Sequence, residues 1–290
     1  MRRNPLPSLV IVPVALGAFL LLNWLERRRP LRRHVEPKLR RAARNLALGA
    51  GSAVFIQLAE MPAILALCRT VEGNRWGLLQ IFGLPAWLEI PAALILMDYT
   101  FYVWHVLLHR VPLFWRFHVV HHADLDLDSS TALRFHFGEE MLSVPWRAAQ
   151  VALIGLTPLT FSIWQAVFFV MVLFHHSEIE LPIAWERRLN RLIVTPRMHG
   201  IHHSIVQEET DSNWSSGLTL WDRLHGTFRR DVPQDRITIG VAEYRDPKDV
   251  TLPKVLGMPF GQQRDAGRPP GAGRVPVRAV DGAVPFPPDD

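Results

Sequence analysis

The chain has 290 residues, 49% of them hydrophobic, and carries a net charge of +5 at pH 7. That length suits one large domain or two small ones, and a lone cysteine, Cys68, excludes a disulfide framework and a thiolate metal site. The basic excess lies mostly in residues 27–44, where attraction to anionic lipid accounts for it better than nucleic acid, so no nucleic-acid partner is expected.

Apolar residues gather in four runs. The first, residues 9–24, follows Arg2 and Arg3 but leads straight into Glu26-Arg27-Arg28-Arg29 without a small-x-small cleavage site. It reads as an anchor that stays in place rather than a signal peptide. The second covers residues 46–68, interrupted by Gln57 and Glu60, and the third residues 76–108, carrying Glu89, Asp98 and His105. The fourth, residues 144–174, bends at Thr157-Pro158 and exceeds the roughly 20 residues of one membrane pass, so a hairpin or two short membrane helices is expected. Four such runs favour membrane helices over the buried core of a soluble protein. The positive-inside rule places residues 26–44 in the cytoplasm. The third run then returns to the cytoplasm at His105, and a hairpin in the fourth leaves both its ends there.

Thirteen histidines fall into a pattern. His118-x-x-His121-His122 and His199-x-x-His202-His203 are two copies of one motif, with His105-x-x-x-His109 upstream. About 0.03 accidental copies of His-x-x-His-His are expected at this histidine content, so two make a strong signal. Residues three and four apart share a helix face, about 5–6 Å apart at Cβ, and each cluster can present imidazoles to one point. His105 and His109 end the third run. Pro112 then stops that helix, and Trp115-Arg116-Phe117 leads into His118. Thr195 as N-cap and Pro196 at the first helical position start a helix carrying His199, His202 and His203 on one face. Asp98, seven residues before His105, points along its helix towards the same place and suits a carboxylate that fixes a ligand imidazole's tautomer; pairing elsewhere in the bundle is an equal alternative. His136, flanked by Arg134 and Glu139 as a salt-bridging pair, adds an imidazole, and one of the adjacent His175 and His176 is expected to face the site. His34 and His225 have no companions at ligand spacing. The resulting ten imidazoles are too many for one ion and suit two, each with an open position. All-nitrogen ligation fits redox-active iron while leaving zinc and copper open, and open sites beside a membrane point to oxygen chemistry on a lipid.

From about Asp98 to Arg229 the chain resembles the fatty acid hydroxylase/sterol desaturase superfamily. The resemblance rests on His105-x-x-x-His109, Phe117-His118-x-x-His121-His122, Thr131-x-x-Arg134-x-His136-x-x-Glu139 and Phe174-x-His176-Ser177. It continues through Thr195-Pro196-x-x-His199-x-x-His202-His203, Asp211-x-Asn213 and Trp221-Asp222-x-Leu224-x-Gly226-Thr227-Phe228. It implies a di-iron enzyme that uses O2 to hydroxylate or desaturate a lipid C–H bond. By the same resemblance the metal ligands are His105, His109, His118, His121, His122, His136, His176, His199, His202 and His203, and His176, not His175, holds the family position. Arg134, Glu139 and Asn213 join Asp98 as candidates for residues behind the ligands. Glu178, Trp214-Ser215 and His225 depart from the family pattern. With no haem motif, cysteine cluster or dinucleotide fingerprint in the chain, electrons are expected from a separate ferredoxin- or cytochrome-type protein.

The expected architecture is an all-α integral-membrane bundle with a cytoplasmic helical cap holding a histidine-rich dimetal site. Residues 1–45 are expected to form an anchor and basic cytoplasmic segment, 46–260 a catalytic domain, and 261–290 a disordered tail. Two other functions compete with the lipid oxidase: a zinc-dependent membrane hydrolase with Glu139 as base, and a non-catalytic membrane metal-binding protein.

Overall fold

A computed structural model describes residues 8–263. The tail expected beyond residue 261 lies, from residue 264 on, outside the described residues. Among the described residues there are helices and three isolated β-bridges but no strand.

The first apolar run forms α1 (Ser8–Arg28), with Arg27 and Arg28 in its last turn, where cations complement the helix dipole. After a short link, α2 (Lys38–Phe55) passes through a π-helical turn, Ile56–Glu60, straight into α3 (Met61–Asn74). The division expected after residue 45 therefore falls inside a continuous helix. Arg75 (φ 57°) and Gly77 (φ 84°) turn the chain into the short α4 (Leu78–Phe82), and α5 (Ala86–Arg110) returns. Pro112 opens α6 (Pro112–His122) at a sharp corner, since proline fits the first turn of a helix but not its interior.

The fourth run splits as its Thr157-Pro158 bend suggests. α7 (Phe137–Ile154) ends at Gly155 (φ 87°), and α8 (Pro158–His176) starts from a reciprocal Thr157/Thr160 capping box. The two turns meet: a Cβ on Gly77 would strike the Gly155 backbone, and Gln80 Nε2 donates to the Gly155 carbonyl at 2.9 Å. At this end Ile64, Cys68, Val71, Met97, Val151 and Trp164 build an apolar core. The histidines gather at the opposite ends of α5 and α8. Beyond α8 come α9 (Ile183–Leu189), α10 (Pro196–His202), α11 (Gln207–Thr210), α12 (Leu220–His225) and α13 (Leu252–Gly257), joined by irregular loops.

Among the described residues, three segments are long and apolar enough to cross a membrane: Lys38–Phe82, Ala86–Arg110 and Pro158–His176. Their most apolar windows are only 22%, 33% and 44% buried, so large side chains such as Leu58, Ile81 and Trp87 face outwards. Such a surface is suited to lipid rather than water. α1 packs along α8.

The basic segment differs from expectation. Arg41 is fully buried and Arg44 nearly so. Arg41 pairs with Asp124 at 2.9 Å and with Asp128, and Arg44 with Glu36 at 2.7 Å and Asp124 at 3.1 Å. Lys38 holds Glu26 at 2.9 Å, and Arg32 holds Glu178 at 2.9 Å. Arg41 and Arg44 clamp the loop after α6, and Lys38 and Arg32 brace Glu26 and Glu178, instead of facing lipid. Arg27, Arg28, Arg29, Arg33 and Arg40 remain exposed.

Candidate metal centre

α5 carries His105 and His109 on one face, one turn apart, and α6 folds back against α5 from the Pro112 corner. That corner brings His118, His121 and His122 opposite them. α8 contributes His175 and His176 in its last turn, and α10, packed on α8, contributes His199 and His202, with His203 at its C-cap. Two groups result. His105, His109, His122 and His202 place one nitrogen each within 4.8 Å of one another, and His121, His176, His199 and His203 do the same. The groups are neighbours, with the rings of His122 and His203 stacked at 4.3 Å. His118 lies between them, 4.9 Å from His109 and from His122 and 5.3 Å from His121.

The hydrogen bonds fix which nitrogens face inwards. His105 Nδ1 donates to the Trp214 carbonyl at 2.7 Å, and His202 Nδ1 to the Ser212 carbonyl at 2.9 Å. A carbonyl only accepts, so both Nε2 atoms are bare lone pairs, yet they face each other at 3.1 Å. His176 is fixed likewise by the Val172 carbonyl at 2.8 Å, and its Nε2 meets His121 Nε2 at 3.0 Å and His199 Nε2 at 2.9 Å. Converging lone pairs repel unless a cation lies between them. His109 Nε2, His118 Nε2 and both nitrogens of His122 are buried with no partner, a costly arrangement that a metal ion relieves. Burial, then the neighbouring imidazoles, holds His121, His122, His199, His202 and His203 well below the ordinary histidine range, and burial pushes His118 down to about 3. At neutral pH these are uncharged nitrogen donors. The residues therefore fit a pair of metal ions held by imidazole alone.

Of the ten expected ligands, nine converge. His136 is the exception. Its Nδ1 accepts from the Gly138 backbone N–H at 3.0 Å as the cap of α7, and its Nε2 donates to the Leu256 carbonyl at 3.2 Å. Both nitrogens are engaged, and the ring packs on Phe137, Phe117 and Phe260. A tenth imidazole comes instead from His175, whose ring lies 4.0 Å from that of His199 and whose Nδ1 donates to the Ser216 carbonyl at 3.0 Å. Adjacent residues are both buried because α10 and the Ser216 loop cover more than one side of the end of α8.

The residues behind the ligands also sort differently from expectation. Asp98 accepts from the Leu218 N–H at 2.9 Å and from Trp221 Nε1 at 2.7 Å rather than from an imidazole. It ties the 211–222 loop to α5. Carbonyls of that loop, at Ser212, Trp214 and Ser216, orient His202, His105 and His175. Asp222 holds the loop by accepting from the N–H groups of Trp214 and Ser215. Asn213 (φ 53°) bonds the Met198 and Arg229 carbonyls and the Arg229 N–H, fastening the loop to α10. Glu139 alone meets the expectation of a carboxylate on an imidazole, 3.0 Å from His118 Nδ1. Arg134 turns away from it, donating to the Val120 carbonyl at 2.7 Å and to Asn45 at 2.8 Å.

The three departures have roles. Glu178 anchors Arg32, and burial pushes its carboxyl up to about 7 against the pull of that guanidinium. The Trp214 ring covers His109 at 4.6 Å, and His225 stacks on Tyr102 at the surface. The sequence reading missed the Asp124-x-Asp126-x-Asp128 loop. Its alternation carries no helical period, yet burial of Asp124, opposed and outweighed by Arg41, Arg134 and Arg44, leaves that carboxyl at about 2.

A cavity of about 240 Å³ opens onto the centre, bounded by His105, His118, His121, His175, His176 and His199. Its remaining walls are mainly apolar, with Phe101, Trp104, Phe135 and Phe168 among them.

Residues 90–227 match the family model for fatty acid hydroxylase. Among characterised relatives, the ornithine lipid hydroxylase OlsE of Rhizobium tropici is 29% identical over 158 residues, covering 54% of this chain and 46% of that protein. The human cholesterol 25-hydroxylase is 33% identical over 146 residues (49% and 51%). The alkylglycerol monooxygenase of Xenopus tropicalis is 30% identical over 142 residues (46% and 28%). The chain thus spans about half or less of the length of these relatives, and no solved structure matches it. Both four-histidine groups lie inside the segment, residues 90–227, that matches the fatty acid hydroxylase family model.

Proposed function

We propose that the protein is a multi-pass membrane lipid hydroxylase with two irons in its histidine centre, using O2 as co-substrate. The observation that carries this reading is the pair of four-histidine groups with inward lone pairs, opening onto an apolar cavity flanked by lipid-facing helices. His105, His109, His122 and His202 would hold one ion, and His121, His176, His199 and His203 the other, with His118 and His175 beside them. Bound iron supplies the O2 activation needed to break an unactivated C–H bond. The chain's own residues do the rest. The loop carbonyls and Glu139 fix the imidazole tautomers, the Trp214 ring shields His109, and the aromatic walls hold an alkyl segment and exclude water. A cavity below the usual ~300 Å³ of a ligand pocket suits part of a lipid chain rather than a whole lipid.

Hydroxylation is favoured over desaturation because the relatives named above are hydroxylases and monooxygenases. The positive-inside rule places the centre at the cytoplasmic face, where a separate ferredoxin- or cytochrome-type donor delivers electrons. Metal analysis of protein purified without oxygen tests the reading. About two irons per chain, with lipid products heavier by one oxygen only in cells that express the intact gene, are expected. Tightly bound zinc with oxygen-independent hydrolysis overturns it in favour of a hydrolase.

A further inference from the structure

One wall of the cavity is charged. α7 presents Glu140, Ser143 and Arg147 to it, spaced i, i+3 and i+7 on one helix face. From α2–α3, Glu60 reaches Arg147 at 3.6 Å, and the Arg147 guanidinium also lies 5.0 Å from the centre of the Trp164 ring. Gln165 of α8 adds an amide to the lining. Glu60 ends the π-helical turn that interrupts an otherwise α-helical run from Lys38 to Asn74, and such turns are frequent at functional sites. Glu60 lies 14 residues into the second apolar run, roughly 21 Å of helix rise. Ionisable side chains at such depth are costly and line functional cavities. Arg147 stands eight residues beyond Glu139, roughly 12 Å of rise from the histidines, so the polar wall extends from the metal centre into the membrane.

The wall is also unbalanced. Glu140 in the lining and Glu60 behind it oppose a single guanidinium, and the buried Glu139 Oε2 and Arg147 Nε have no partner. An all-hydrocarbon ligand would leave these groups unsatisfied, whereas a ligand hydroxyl would donate to a carboxyl oxygen. We propose that the cavity takes a lipid bearing a hydroxyl group that hydrogen-bonds the Arg147–Glu140 wall, which Glu60 braces from behind, and that this contact selects the lipid and sets its orientation towards the histidines. The proposal rests on the cavity being a lipid site, as inferred above.

The test uses binding, which needs no metal turnover. Full-length protein in lipid nanodiscs is titrated with a brominated alkane, whose bromine quenches Trp104 and Trp164 on the cavity wall. Hexadecanol, its methyl ether and hexadecane then compete. Hexadecanol is expected to displace the probe at about tenfold lower concentration than the ether, the usual worth of one hydrogen bond to a charged group. Arg147→Met and Glu60→Gln should bring that ratio to about one while leaving hexadecane displacement unchanged. A variant that no longer binds the bromoalkane has lost the cavity itself, and the ratio is then read from Glu140→Gln, which replaces the carboxyl in the lining by an amide. Equal displacement by alcohol and ether in the native protein, or a ratio that none of the variants changes, overturns the proposal but leaves the lipid cavity standing. No quenching by any probe removes both.

Discussion

Replacing Arg41 by methionine tests what fastens the His118-x-x-His121-His122 motif. Its guanidinium is completely buried among Asp124, Asp128, the Asp126 carbonyl at 3.2 Å and the Thr131 hydroxyl at 3.1 Å. Breaking a buried ion pair by removing one partner costs about 3–5 kcal/mol, because the other charge stays behind unpaired. Here the low end applies. Asp124 keeps Arg44 at 3.1 Å and Asn45 at 2.8 Å, and Asp128 keeps Ser130. About 3 kcal/mol corresponds to a fall of about 6–12 °C in melting temperature for a chain of this size. Because Asp124 follows His121-His122 by two residues, bound metal should also fall in the same variant. The control is Arg40→Met, which removes an exposed neighbouring charge and should cost no more than about 0.5 kcal/mol. Thermal unfolding followed by tryptophan fluorescence, with metal content measured alongside, decides it. Indistinguishable melting of the two variants would refute the claim that the arginine–aspartate cluster carries the fold around the site.

Further outcomes follow from the same geometry. His202→Ala and His199→Ala each remove an inward nitrogen from a different group, and each should lower metal content by about one ion per chain by elemental analysis. His136→Phe should leave metal content intact and cost about 1 kcal/mol of stability, the usual worth of a helix cap; loss of metal instead would show that His136 reaches the centre. The metal-free protein should be acid-labile. Burial holds His118 near 3 against about 6.5 unfolded, so the unfolded chain binds the extra proton between those values. Stability should fall as pH drops below about 6.5, by up to about 1.4 kcal/mol per unit for each such histidine. A melting temperature that stays flat from pH 7.5 to 5 would contradict this. Gly77→Ala should destabilise strongly, since it forces a left-handed residue against Gly155, and thermal unfolding reads the effect.

Much of the site was legible because helical spacing is local. Three and four residues per turn place His105 with His109 and group His199 with His202 and His203, and Pro112 marks the corner that brings α6 back. The Thr195-Pro196 start is likewise where α10 begins, although the Thr195 hydroxyl makes no capping bond. What escaped the sequence depends on partners far along the chain. Asp98 meets Trp221, 123 residues away, and Arg134 meets Asn45, 89 residues away; no spacing rule reports such contacts. His136 misled because its capping role uses the same nitrogen a metal would need. His175 escaped because α10 and the Ser216 loop enclose more than one side of the end of α8, so two residues about 100° apart are both covered.

The histidine groups have a consequence for how the protein is made. Each group joins residues on α5, α6 or α8 to residues on or beside α10, and His105 contacts His202 across 97 positions. The first group cannot close until His202 has been synthesised, nor the second until His203, with α10 docked against the earlier helices. On the proposed function, metal loading would be a late event of biogenesis. Bound ions would then act as staples between the earlier helices and the late-emerging half, and a chain truncated before His199 would lack ligands of both groups.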